Sequence, residues 1–209
     1  MATIGFFTNQ PYRKEEFMST TQPIRNKEDL ESLKNFYLTE KPNLRNYALI
    51  CTAVNTALRI SDILSLTWGT VYQVESKRFR AHLEMIEKKT QKRTLIALNH
   101  NVIQALALYL ESLPSVTEKQ YIFTAKHSLT PLCREQAFRI IRTACTALQL
   151  PDPVSPHSLR KTFGYHAWAS GTNPALLVSI YNHSSYHITK RYLGIEQDEK
   201  DQVFLHTEL

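Results

Sequence analysis

The 209-residue chain is 43% hydrophobic and 21% charged, which is enough apolar material for one buried core and too ordinary a balance for a disordered chain. Its net charge is +6, unevenly spread: residues 77–93 hold seven basic residues against Glu84 and Glu87, whereas residues 194–209 hold one lysine against five acids. A basic body with an acidic tail points to a polyanionic partner, and the absence of a signal-like apolar core or a membrane-length segment leads us to expect a soluble, intracellular protein with no membrane partner.

Residues 1–25 mix Phe6, Phe7, Tyr12 and Phe17 with Arg13, Lys14 and Arg25 without a clear period, and read as an N-terminal arm free to be flexible. Asn26 with Asp29 resembles a capping box, and Leu30, Leu33, Phe36 and Tyr37 follow at helical spacing until Pro42. A second helix is predicted over about Leu44 to Leu58, with Tyr47, Ile50, Cys51 and Val54 inward. Arg59 stands at its end, and Ser61 is placed to cap a short helix carrying Ile63, Leu64 and Leu66. Phe79, Ala81, Leu83 and Met85 then alternate with Arg80, His82 and Glu84, the pattern of a half-buried strand. It turns at Thr90-Gln91-Lys92 and returns through Thr94–Leu98, with Lys89 at the tip. Taken alone, Lys88, Lys89, Lys92 and Arg93 read as a solvated charged turn.

Val102, Ile103, Leu106, Tyr109, Leu110 and Leu113 form a helical stripe ending at Pro114, and Tyr121–Phe123 suggests a short strand. Thr130-Pro131 opens a long helix with Phe138, Ile141, Cys145 and Leu148 inward; Arg134, Arg139 and Arg142 lie elsewhere on it, as a solvated face or as phosphate contacts. Cys133 and Cys145 fall in that helix and Cys51 in an apolar one. Odd in number and without metal spacing, the three read as buried free thiols.

Ser155-Pro156 is an N-cap followed by proline at the first helical position, with Gly171 as the stop. His157 and Arg160, three apart, share a face of this helix, while Phe163, Ala167 and Trp168 pack inward. Asn173-Pro174 opens a second helix with Leu176, Leu177 and Ile180, and His183 falls in the turn after it. Ser185 caps a third helix, which presents Tyr192 just before Gly194. A forked guanidinium suits the charged oxygens of a phosphodiester. A tyrosine attacking phosphorus must lose a proton from a phenol of pKa about 10, which adjacent cations favour, and histidines can move that proton or stabilise developing charge. No carboxylate cluster is near, and His183 with His187 lacks further ligands for zinc, so neither metal nor cofactor is expected. Each residue also has a plainer reading: His157 as a cap, His183 as a turn histidine, Tyr192 as a half-buried structural tyrosine. His166 and His187 read as structure or solvent.

Taken together, His157-x-x-Arg160, His183 and Tyr192 resemble the second motif box of the tyrosine recombinases, the phage integrase family. Ala57-Leu-Arg59-Ile-Ser-Asp-Ile-Leu-Ser-Leu66 resembles the first box, and Lys89 matches the family's β-hairpin lysine. The resemblance runs from about Asn26 to the C-terminus. It implies a mainly α fold with a small antiparallel sheet, the recombinase catalytic domain, over residues 26–194, followed by an acidic tail helix over 195–209. It implies strand exchange on double-stranded DNA: Tyr192 attacks, Arg59 and Arg160 hold the phosphate, and Lys89 protonates the leaving 5′-oxygen. His157 assists the tyrosine proton and His183 adds a hydrogen bond. Lys88, Lys92, Arg93 and Lys161 are expected DNA contacts.

Further expectations are a homo-oligomer on DNA, tetrameric in the family manner, an accessory DNA-binding protein in place of the family's separate core-binding domain, and a cytoplasmic, nucleoid-associated location. The chain is similar to short members that consist of the catalytic domain alone. A topoisomerase-like nicking and closing enzyme and a non-catalytic DNA-binding regulator are the alternatives. Asn182 replaces the glycine usual before the last histidine. A helix from about Glu196 to His206, with Val203 and Phe204 apart from most of its acids, could dock on a neighbouring subunit or fold back on its own.

Overall fold

A computed structural model describes residues 21–125 and 128–207; of the arm expected over residues 1–25, residues 1–20 lie outside them. The chain runs through α1 (Lys27–Thr39), α2 (Leu44–Thr56), the one-turn helices α3 (Ile60–Ile63) and α4 (Trp68–Val71), and two antiparallel pairs. The first pair is β1 (Tyr72–Gln73) with β2 (Arg78–Phe79), and the second is β3 (His82–Ile86) with β4 (Arg93–Ala97). Then follow α5 (His100–Glu111), α6 (Arg134–Ala147), α7 (Pro156–Ala169), α8 (Pro174–Tyr181), α9 (Tyr186–Leu193) and α10 (Glu196–His206).

The centre is α2, buried on every side from Asn46 to Val54 and packed against α1, α5 and α7, as expected of a helix apolar all round. Asn26 and Asn43 cap α1 and α2 by accepting from backbone N–H groups of the first turn. The main core runs from Leu33, Phe36 and Leu49 to Trp68, Leu106, Phe123 and Ile141. Each fully buried leucine there is worth roughly 1.5–3 kcal/mol. A smaller core of Ala57, Tyr181, Leu193 and Ile195 lies under α9, with Phe163, Tyr165, Trp168 and Tyr192 around it. It fixes the helix that carries Tyr192 to the end of α2.

Several expectations need correction. The strand expected from Phe79 onward is split, because Arg80 leaves the ladder to give its backbone N–H to Val71 and its Nε to the Gly69 carbonyl. Tyr121 makes only a single bridge to Thr67, so no strand forms at Tyr121–Phe123. The helix expected from Thr130 begins at Arg134, because residues 130–132 bond back to Phe123 and Ala125. Cys133 is therefore the exposed N-cap and not a buried thiol, whereas Cys51 and Cys145 are buried and free. Phe138 is exposed, and Ala137, Ile141, Ala144 and Cys145 form the inner face of α6. On α8 only Leu177 and Tyr181 are buried, leaving Leu176 and Ile180 exposed. Arg59, not Ser61, occupies the N-cap of α3.

Residues 21–25 are docked rather than free. Ile24 is buried, its N–H donates to Thr162 Oγ1, and Lys161 Nζ donates to the Thr21 carbonyl. Arg25 ties the Gly194 carbonyl (2.7 Å) to Asp198 (2.6 Å) in the first turn of α10.

Candidate active site

The motif residues reach one region from three parts of the chain. Ala57 ends α2 in the left-handed conformation (φ 54°), which throws Arg59 out of the core; for a side chain other than glycine this is a strained turn. Ser155 and Pro156 start α7, so that His157 stands in its first turn and Arg160 one turn on. The hairpin of β3 and β4 brings Lys88 and Lys89. Arg59, Lys88, Lys89, Arg134, His157 and Arg160 line one open cleft of roughly 380 Å³. Five cations and an imidazole around one hollow make a site for an anion.

Arg160 is 4% exposed, its guanidinium stacked 4.9 Å from the ring centre of Tyr181. Tyr181 donates its hydroxyl to the Arg160 carbonyl (2.7 Å). Next to it, Tyr192 packs against Tyr181 (5.4 Å) and edge-on to His183 (5.3 Å). Burial raises the Tyr192 pKa above its ordinary value, although Arg160 and Arg59 pull it down. The expected gain of a phenolate from neighbouring cations is thus outweighed in the DNA-free protein, and a proton acceptor is required. Burial, followed by Arg160, Lys161, Arg59 and Lys89, lowers the His157 pKa and keeps the imidazole neutral at pH 7, fit to accept a proton.

His183 is lowered in the same way, by burial and then by Arg160 and Arg59. Its Nδ1 lies 3.0 Å from Thr189 Oγ1, which also reaches the Ser185 carbonyl (3.3 Å), so the ring is held by Nδ1 and Nε2 faces away from Thr189.

The structure therefore gathers Arg59, Lys89, His157 and Arg160 in one cleft and sets His183 and Tyr192 near Arg160, packed around the ring of Tyr181. Of the expected DNA contacts, exposed Lys88 lines the cleft, Lys92 reaches Asn182 Oδ1 (3.2 Å), and Arg93, still exposed, pairs with Glu84 (2.5 Å). Lys161 does not fit that role: it is buried, its ammonium given to the Thr21 carbonyl and lying 5.2 Å from the Tyr192 ring centre. His166 is structural, bonded to the Ile24 carbonyl, and His187 faces Glu196. Among the described residues, no group of three His, Cys, Asp or Glu is placed to hold a metal ion.

Four contributors were missed at the sequence level, the first being Tyr181, described above. Glu87, 2% exposed, pairs with Arg59 (2.5 Å). Asp62, fully buried, accepts the Lys88 N–H (3.0 Å). Gly164 lets α7 lie against α8 and α9, since a Cβ there would meet Leu193 at 2.6 Å and also strike the Tyr181 hydroxyl. A carboxylate in phase with the inward residues Leu83 and Met85 was the available signal for Glu87, and it is a common one.

Comparison with known proteins shows the family and the fold. The profile of the phage integrase family matches residues 25–199. A probable integrase/recombinase of Bacillus subtilis, YoeC, is 38% identical over 87% of this chain and 93% of its own length. A tyrosine recombinase of Pseudothermotoga lettingae is 26% identical over 76% of this chain, which spans about half (52%) of that protein. The crystal structure of XerA recombinase superposes with a TM-score of 0.72 at 18% identity, over 97% of this chain and 70% of that one.

Proposed function

Because the chain belongs to the phage integrase family, we propose that it is a site-specific DNA recombinase that breaks and rejoins duplex DNA through a phosphotyrosine on Tyr192. The observation that carries the reading is the convergence of Arg59, Lys89, His157 and Arg160 on one cleft, with Tyr192 near Arg160.

Arg59 and Arg160 hold the non-bridging oxygens of the scissile phosphate and the added charge of the pentacoordinate transition state. Tyr192 Oη attacks phosphorus as its proton passes to neutral His157. The bond from phosphorus to the 5′-oxygen breaks, and that oxygen leaves with the electron pair and takes a proton from Lys89. The arriving phosphate favours the protonated form of His183, whose Nε2–H then donates to it. The DNA is left with a 3′-phosphotyrosyl end, which a 5′-hydroxyl from another strand attacks in the reverse sequence. The bond energy is retained in the phosphotyrosine, so strand exchange needs no nucleotide cofactor.

Exchange between two sites requires several active sites, and we place the protein as a tetramer on DNA, acting in the cytoplasm on the nucleoid. An accessory DNA-binding protein supplements the hold of this domain. The exposed apolar end of α10, with Phe204 79% exposed, favours assembly over a monomeric nicking and closing enzyme. A regulator that only binds DNA needs neither a nucleophile nor a buried arginine beside it.

The test is to trap the protein covalently on DNA in cells and sequence what it carries. A reproducible junction, lost with Tyr192→Phe while DNA binding persists, is expected. A covalent complex that survives in the variant would sink the assignment. Tyr186, the nearest substitute in sequence, is held by Glu199 (2.5 Å), and burial and that carboxylate push its pKa well up.

A further inference from the structure

Glu87 is a buried acid outside the motif set, and each of its oxygens is used twice. Oε2 accepts from Arg59 Nη1 (2.5 Å) and Thr90 Oγ1 (3.0 Å). Oε1 accepts from Thr94 Oγ1 (3.0 Å) and Asn182 Nδ2 (3.2 Å). The four donors come from the first motif segment, the turn and the returning strand of the hairpin, and the turn before His183. Four donors converging on two buried oxygens suit an ionised carboxylate and no other side chain of that size. Asn182 sits in the left-handed conformation (φ 54°) and also accepts from Lys92 Nζ (3.2 Å) through Oδ1, a second strut to the hairpin. On the other side, Asp62 Oδ1 holds the Lys88 N–H (3.0 Å). Lys89, exposed at the cleft, is thus flanked by two residues fixed in place: Lys88 by Asp62, Thr90 by Glu87.

We infer that Glu87, with Asn182, is a positioning residue of the strand-cleavage reaction, latching the hairpin so that the Lys89 ammonium is held at the leaving 5′-oxygen. The inference rests on the recombinase reading and deepens it. Arg59 has five donors, so the one given to Glu87 fixes its plane and leaves the others for phosphate. The hairpin tip has no comparable alternative. Its outer residues Ile86 and Leu95 are largely exposed, and among the described residues the hydrogen bonds of 87–92 to the rest of the protein run through Glu87, Asp62 and Asn182.

The experiment compares wild type, Glu87→Ala, Glu87→Gln and Asn182→Ala in three measurements. These are amide hydrogen exchange of residues 88–92 in the DNA-free protein, melting temperature, and covalent-complex formation on two nicked substrates. One substrate has the ordinary 5′-oxygen and the other a 5′-bridging phosphorothiolate, whose sulfur leaves without protonation. For Glu87→Ala we expect hairpin exchange to rise by at least about tenfold and ordinary cleavage to slow on the order of 100-fold. Most of that loss should disappear with the sulfur leaving group. Asn182→Ala, which keeps the Arg59 pair, should show the same pattern more weakly. On top of Lys89→Ala, Glu87→Ala should cost only the small remainder that comes from Arg59, while Asn182→Ala should cost no further rate. Glu87→Gln leaves one amide facing two donors and should behave like Glu87→Ala where the latter folds poorly.

Equal slowing on both substrates, or unchanged hairpin exchange in both Glu87 variants, would overturn the inference. A wild type that forms no covalent complex would instead refute the recombinase reading. The exchange measurement would then still decide whether the carboxylate holds the hairpin.

Discussion

The hydroxyl of Tyr181 donates to the carbonyl of Arg160 at 2.7 Å, while the guanidinium of the same arginine lies 4.9 Å from the Tyr181 ring centre. One side chain thus fixes the backbone of the phosphate-holding residue and offers its charge a π face. Tyr181→Phe keeps the ring and loses the bond. It should lower stability by about 1 kcal/mol with cleavage within a few-fold of wild type. Tyr181→Leu loses the face as well and should slow cleavage much more than Phe at similar DNA affinity. Thermal melts and single-turnover cleavage check both, and equal rates for the two variants would mean that the ring does nothing for Arg160.

Gly164 allows that arrangement. A methyl group at this position would press on the Tyr181 hydroxyl and lie 2.6 Å from Leu193. Both neighbours are fully buried and cannot yield without moving α8 or α9. Gly164→Ala should therefore destabilise by about 1–3 kcal/mol and slow cleavage by displacing Tyr192, even though alanine is the better helix former. A higher melting temperature would show the helices to be looser than they look.

Why these two positions escaped the sequence reading is a matter of range. Caps, proline starts and apolar periods are local, so α1, α2, α5 and the α7–α9 series, and with them the catalytic candidates, were legible. The start of α6 was not, because the tertiary bridge of residues 130–132 to Phe123 and Ala125 overrides a good local start signal. Nothing local marks Gly164 as a contact point or Ala57 as a left-handed residue, and Lys161 looked like one more surface cation. Its burial depends on Thr21, 140 residues away. Glu87 needed four partners from three segments before it could be distinguished from an ordinary strand-end acid.

The pH dependence follows from the directions of two shifts. His157 and His183 are both held below the ordinary histidine value, mainly by burial. If His157 accepts the tyrosine proton, cleavage at sub-saturating DNA, which reports the free enzyme, should be level from about pH 8 down to the ordinary histidine pKa near 6.5 and fall only below it. His157→Gln should be slower and flat across that range. Because Tyr192 is raised, ionisation of the phenol should add no rise below about pH 10. Stability should drop as pH falls below about 6.5, since the unfolded chain takes up the two histidine protons first. A rate already declining at pH 7.5 would contradict the assignment of His157.

The tail divides into two halves that can be tested apart. The first turns of α10 are held to their own domain, Asp198 by Arg25 (2.6 Å) and Glu199 by Lys190 (2.9 Å) and Tyr186 (2.5 Å). Among the described residues the last turn has no hydrogen bond or ion pair to the rest of the domain, and Val203, Phe204 and Leu205 are exposed. The acidic half therefore docks in cis, as one of the two sequence readings required, while the apolar half is free to meet a neighbouring subunit. Removing residues 203–209 should leave melting temperature and single-site cleavage near wild type while abolishing two-site synapsis. Removing residues 196–209 should cost stability and cleavage as well, because Lys190 loses Glu199 and Arg25 loses Asp198. If the short truncation recombines normally, the exposed turn has no part in assembly; if it melts early, that turn packs in cis after all.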